Sequence, residues 1–292
     1  MTPTRICQLM TAVTLIFSQI SIASEREEFH QLLGEHWARA QQEQIFFRTD
    51  PDAYRPHGKL AEVDGEARDR RRAFNEEVLT RLAAIDINGL SGQDRVSYQL
   101  FRYERQTERE SYNYWDHLFP ITSLFGYHTY FAAAPANMAF STLEDYQRYL
   151  VSLEDFPRYN REHIALLQVA VDKGYTHYCG SIEGYQQSMA DLIVSDASES
   201  SLYQPFERIP ATVPATQRQQ LQTQGLALVQ RSIIPAFQEL YDFFTTQYLP
   251  RCRKTVGISS LPGGEAYYAY LLRYFTTTDM TPQAIHDLGL AE

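Results

Sequence analysis

Leu261-Pro262-Gly263-Gly264-Glu265-Ala266-Tyr267-Tyr268-Ala269-Tyr270-Leu271-Leu272-Arg273-Tyr274 is the stretch on which the reading of this chain turns. Pro-Gly-Gly is turn chemistry, because proline presets φ and glycine accepts backbone angles closed to other residues. The continuation is helical: Tyr267, Tyr270 and Tyr274 fall on one stripe, aided by Leu271, and the stripe predicts core packing. Tyr268 lies off it. A phenol there, beside a glycine turn, is placed to hydrogen-bond a substrate carbonyl or a developing oxyanion. Glu265 sits in the first turn, where an acid complements the helix dipole. A threonine run then leads to a short helix opened by Thr281 and Pro282 and stopped at Gly289. Gly263, Gly264, Glu265, Tyr267 and Tyr268 are therefore the substrate-side candidates, with the tyrosine stripe also readable as plain core.

The same helical period runs upstream. Phe74, Val78, Leu82 and Ile85 recur between arginines and glutamates over 66–85. Ser91 with Asp94 forms a capping box, and Val96, Leu100 and Tyr103 line one stripe of the helix it opens. Thr142 with Asp145 repeats the device ahead of Leu143, Tyr146, Leu150 and Leu153, and Pro157 is expected to end or kink that helix. Ile164, Leu167 and Val171 continue to a glycine stop at Gly174. A longer pattern spans 215–248, interrupted at Pro235 and closed by Pro250. Two stretches are irregular. Residues 48–65, with Pro51, Pro56, Gly58 and Gly65, read as a surface loop. Residues 113–140 are aromatic and almost uncharged, so they pack on helices or line a groove. A Ser/Pro/Ala-rich stretch at 195–214 suggests a sub-boundary between helical halves. The fold class is all-α.

At the N-terminus, Arg5, the mostly apolar run Ile6–Ile20 and Ser21-Ile22-Ala23 read as a signal peptide over 1–23, an uncleaved anchor being the alternative. Its removal leaves residues 24–292 and takes the net charge from −10 to −11, which argues against nucleic acid and anionic membrane surfaces. No later run would span a membrane stably. Periplasmic or secreted residence follows. Cys179 and Cys252 survive cleavage; an oxidising compartment permits a bridge between them, and two separate thiols is the equal alternative.

Chemistry is conspicuous by its absence. Metal hydrolysis on a helix needs two imidazoles four apart with a carboxylate between them. The eight histidines contain no pair spaced by three or four and read as unconnected, mostly surface or hydrogen-bonded imidazoles. There is no G-x-S-x-G elbow, no phosphate loop, and Cys179 with His177 is too local for a dyad. No catalytic and no metal residue is assigned.

Phe119-Pro120-Ile121-Thr122 with Gly126, Asp145-Tyr146 through Phe156-Pro157-Arg158-Tyr159, Ile234-Pro235-Ala236-Phe237, Tyr248-Leu249-Pro250 and the Pro262–Tyr268 segment together resemble the bacterial DUF-885 family over most of residues 60–292. The resemblance implies a long-helix bundle similar to one half of a channel-type peptidase of the carboxypeptidase Taq or thimet oligopeptidase kind. It also implies a zinc-type H-E-x-x-P-G-H motif and zinc in a complete member, and a peptide substrate. No position here matches that motif. The expectation is thus a truncated, N-terminal portion of an exported zinc-metallopeptidase-like hydrolase, inactive alone; the alternative is a non-catalytic periplasmic helical binding protein.

Overall fold

The computed structural model describes residues 25–43, 47–50 and 53–292. The expected signal peptide, 1–23, lies outside them. Among the described residues the chain is all-α apart from one short hairpin, and it divides into two compact units. None of the described helices is long and apolar enough to cross a membrane.

The smaller unit comprises α1 (residues 25–42), most of α2 (Gly65–Ala84) and α3 (Gly92–Ser111). Phe29 and Leu32 of α1 meet Val78 and Leu82 of α2 and Tyr98 and Phe101 of α3 in one core, closed by Ile85 and Leu90. Ser91 caps α3 as its spacing with Asp94 predicts, accepting from the Asp94 backbone N–H at 3.5 Å. The Asp94 carboxylate turns inward and collects the Ser91 hydroxyl at 2.7 Å, His30 at 3.0 Å and Arg26 at 3.2 Å, the Ser91 bond doing most to hold its pKa down. The expected stripe of Val96, Leu100 and Tyr103 is not the buried one. Those residues are exposed, Val96 and Leu100 at 58% each, while Asp94, Tyr98 and Phe101 face the core. Two stripes compete on α3, and the one carrying hydrogen-bonded polar partners is inside.

The larger unit holds residues 43–67 and 114–292. Strands β1 (Phe47–Asp50) and β2 (Ala53–Pro56) pair antiparallel, so the stretch expected as loop over 48–65 begins as a hairpin. The rest of it is held along α5 (Leu143–Lys173) by polar side chains recurring every three or four residues on one face of that helix. Arg55 donates to both oxygens of Asp145 at 2.8–2.9 Å, Ser152 donates to Gly58 O, and Asp155 and Glu162 accept from the N–H groups of Leu60 and Val63. Arg158 donates to Leu60 O and also pairs with Asp155 and Glu162.

Helix α5 starts at the predicted Thr142–Asp145 capping box and stops at Gly174, which adopts φ 74°. Pro157 does not end it. Leu153, Phe156, Tyr159 and Asn160 are buried on either side, and that packing outweighs the one lost donor. The larger unit also holds α4 (Tyr127–Ala133), α6 (Gln186–Ala190), α7 (Gln204–Glu207), α8 (Ala215–Leu228), α9 (Ile234–Phe243), α10 (Gly264–Thr276) and α11 (Pro282–Ala291), of which α8 and α9 pack along α5. The expected break at Pro235 is likewise absent. α8 and α9 join through a π turn, Val229–Ile233, and a second, Phe244–Tyr248, follows α9. Each falls just ahead of a proline. Ile234 and Leu249 donate five residues back, to Val229 and Phe244; the helical path carries on past Pro235, which cannot donate, and closes at Pro250, as expected, in a short 3-10 turn ending at Arg251. Residues 195–214, expected as a sub-boundary, lie inside this unit, with Leu202, Phe206 and Val213 in its core.

Candidate functional site

Three places in the larger unit carry the features from which a site is built. The first is the segment singled out by sequence. Gly263 adopts φ 69°, and at Gly264 a Cβ would stand 2.1 Å from Ile258 O, so both glycines are required by the turn and the close approach. Tyr267 and Tyr270 are buried against Tyr114, and Tyr267 also against Trp115, whose ring stacks on Tyr175 with centroids 4.4 Å apart. Burial pushes the Tyr267 phenol up to about 12. Tyr268 and Tyr274 are exposed; Glu265 is exposed in the first turn and makes no side-chain cap bond. This aromatic pile thus absorbs Tyr267 into the core and leaves Glu265 and Tyr268 on the outside of α10.

The approach to this segment is fixed by a bridge. Cys179 and Cys252 form a disulfide with Cα atoms 5.0 Å apart, resolving the alternative left open by sequence. Beside it, Cys179 N–H donates to Arg253 O and Arg253 N–H to His177 O. The Arg253 guanidinium gathers the carbonyls of Thr176, Thr255, Val256 and Gly257. His177 Nδ1 lies 2.7 Å from the Tyr248 hydroxyl, and burial lowers its pKa to about 4.

The second place is a buried polar chamber. His128 is 0% exposed and His163 7%; they are neither surface imidazoles nor, for His163, hydrogen-bonded ones. Tyr127 stacks on His163 with centroids 3.9 Å apart and donates to Asn160 Oδ1, which is held in turn by a bond from its amide to Ala236 O. Tyr159 meets His163 edge-on, and Tyr185 meets His128. His128 Nε2 is 3.3 Å from Ser188 Oγ. Both His163 nitrogens, His128 Nδ1 and the Tyr185 hydroxyl have no hydrogen-bond partner among the described residues. Burial lowers His128 to about 4; burial and the charge His128 would carry lower His163 to about 3. Both imidazoles are therefore neutral at pH 7. Sequence reasoning passed over this pair because 35 positions separate them. The available signal was His163 on the α5 face shared with Phe156, Tyr159 and Leu167.

The third is a cleft of about 300 Å³. Its lining includes Met138 and Phe140, from the end of the aromatic stretch expected to line a groove, Tyr146 of α5, and Ser201, Gln204 and Arg208 from residues around α7. Phe140 lies against Tyr146 and Tyr149, and both tyrosines against Phe206. Phe206 reaches this position because Gly225 on α8 has no side chain: a Cβ there would stand 2.5 Å from the ring. Tyr149 donates to Leu202 O, Ser201 to Ala132 O and Gln222 to Phe206 O, so the walls are cross-tied.

Residues 47–292 match the family described as bacterial protein of unknown function (DUF885). The chain belongs to the DUF885 family. Its fold is similar to that of a candidate lipoprotein from Colwellia psychrerythraea, known from a crystal structure, at 18% identity and a TM-score of 0.71. The match covers 94% of the DUF885 chain and 49% of the other, so this chain spans about half the length of that neighbour. No curated protein matches it. Zinc, which the family resemblance implies for a complete member, does not fit the described side chains of this one. Among the described residues no group of three or more His, Cys, Asp or Glu is arranged to hold a metal ion, and the chamber supplies two imidazoles only.

Proposed function

We propose that this DUF885 chain is the N-terminal, wall-forming portion of an exported zinc-peptidase-like hydrolase whose metal ligands come from outside it. The observation that carries the reading is the coverage: nearly all of this chain corresponds to half of a longer helical relative of fold. The donor set supports it, since the two buried histidines fall short of the three protein ligands a catalytic zinc takes. Export is supported by the Cys179–Cys252 disulfide, a bond that persists in oxidising compartments, together with the apolar leader read at 1–23. Elemental analysis and peptide-hydrolysis assays of the purified chain test this reading. Zinc well below one per chain and no cleavage are expected; stoichiometric zinc with chelator-sensitive cleavage would overturn it.

A second reading, a non-catalytic periplasmic binding protein, is favoured by the cleft at the end of the 113–140 stretch. It expects a single cooperative unfolding transition and saturable ligand binding by the isolated chain. Exposed apolar surface and dye binding characteristic of a molten state would count for the wall-forming portion instead.

A further inference from the structure

The cleft joins three features that point to one kind of ligand. Its floor is aromatic, with Phe140 and Tyr146 centroids 5.2 Å apart, and Met138, Pro135 and Pro205 extend the apolar surface. Arg208 is the one formally charged residue of the lining, and among the described residues no carboxylate pairs with its guanidinium, in a chain whose net charge is −10. Tyr146 is 1% exposed, yet its hydroxyl finds no hydrogen-bond partner among the described residues, although it lines the cleft. Its oxygen is not one of the fully buried unpartnered atoms, so it opens on the cleft, with the Asp145 carboxylate, tied to Arg55, as the nearest charge. One turn along α5 Tyr149 donates to Leu202 O at 2.8 Å, and the buried Tyr248 meets His177 at 2.7 Å. A cation without an anion and a donor without an acceptor thus share the lining of an apolar cavity.

We propose that this cleft binds a small molecule bearing a single carboxylate on an apolar, ring-sized body, with the carboxylate against Arg208 and the Tyr146 hydroxyl and the body on Phe140. A guanidinium and a phenol both donate, and a carboxylate accepts from both at once. The volume of about 300 Å³ is at the small end for ligand pockets, which suits one residue-sized group rather than a long chain. A free aromatic acid and the C-terminal residue of a peptide share this chemistry. The inference depends on the cleft alone and holds under either reading of the protein's role.

Titration of the full chain, followed by calorimetry or NMR, tests it with three probes: N-acetyl-L-phenylalanine, its C-terminal amide, and 3-phenylpropionate. Saturable binding of the first is expected, with the amide at least about tenfold weaker, since a hydrogen bond to a charged group carries that much. Comparable binding of 3-phenylpropionate assigns the site to aromatic acids in general; binding of the acylated amino acid alone assigns it to peptide C-termini. Arg208→Gln, at an exposed position where folding is not at stake, should weaken the acid about tenfold and leave the amide unchanged. Tyr146→Phe should weaken it a fewfold, about fivefold, by removing one donor. Equal affinity for acid and amide, no effect of Arg208→Gln, or no saturation by either acid up to about 10 mM, beyond the weak limit for ligands of this size, would overturn the proposal.

Discussion

The smaller and larger units follow the same packing rules with different materials. In α1–α3 the core is mostly aliphatic, and the buried Asp94, Asn75 and Tyr98 are each hydrogen-bonded, Asn75 to Arg105 O and Tyr98 to Leu82 O. In the larger unit the core is crowded with tyrosine and phenylalanine, the long helical path carries two π turns, and His128, His163 and Tyr185 bury polar atoms that have no partner among the described residues. Natural proteins relax local rules where they have another use for the residues. The smaller unit departs less from those rules: among its described residues Arg105 Nε is a buried donor with no partner, and the wider departures of the larger unit are what the proposed cleft draws on.

The sharpest way to break that contrast is to cut the bridge. Removing Cys179–Cys252, which closes 73 residues of the larger unit, is expected to cost about 4 kcal/mol of unfolding free energy. Hydrogen exchange of Cys179→Ser should show faster exchange in α5 and α9 and unchanged rates in α2 and α3. Equal acceleration in both units would mean that they open as one and that the contrast is geometric only.

The next largest effect is that of acidity on the buried chamber. His128 and His163 have folded-state pKa values lowered to about 4 and about 3 from 6.5, so below pH 6.5 the unfolded chain binds more protons than the folded one. Stability therefore rises with pH across that window and is lost as pH falls from 6.5. At pH 5 each histidine should have cost about 2 kcal/mol relative to pH 7. Urea midpoints at pH 7, 6 and 5 measure the slope, to which His177, also lowered to about 4, adds a similar share, so His163→Phe should reduce it by about a third. A slope unchanged by that substitution would remove the chamber from the account.

Gly225→Ala comes next. The added methyl meets the Phe206 ring, and overpacking of this kind outweighs the helix propensity gained, for a net loss of about 1 kcal/mol. Because Phe206 supports Tyr146 and Tyr149, the same variant should also weaken acid binding in the cleft; stability lost with affinity unchanged would separate floor from function. The smallest effect belongs to the scaffold. Ser91→Ala removes the cap of α3 and is expected to shift the thermal midpoint by an amount corresponding to about 1 kcal/mol, with no change in ligand binding.

What was legible in the sequence was local. The N-cap at Ser91, the capping box at Thr142, the glycine stop at Gly174, the stripe from Val78 to Ile85 and the glycine turn before α10 all depend on neighbours within a few residues, and the structure has each of them, although Asp94 does not close the expected box at Ser91 and takes the Ser91 hydroxyl instead. Val96, Leu100 and Tyr103 were misread because period reports that a stripe exists and not which of two stripes meets the core. Pro157 was misread because propensity alone cannot weigh one lost donor against Phe156 and Tyr159. The Ser/Pro/Ala-rich composition of 195–214, which suggests a sub-boundary, says nothing of the burial of Leu202 and Phe206 within it. The chamber and the cleft were beyond reach for a different reason. His128 and His163, like Tyr146 and Arg208, are brought to one place only by the path of α5 and the elements packed on it.

The π turns ahead of Pro235 and Pro250 amount to a surplus residue in each of two otherwise regular stretches. Deleting one residue from Val229–Ile233 would let an ordinary spiral close. It would also swing everything beyond it by about 100° around the axis. Phe237 and Leu240, now fully interior, would be carried off the core side, and the segment reaching Tyr248 and the bridge would lose its phase. The irregularity is therefore a gear tooth: it sets the angle at which the second half of this long rod meets its neighbours.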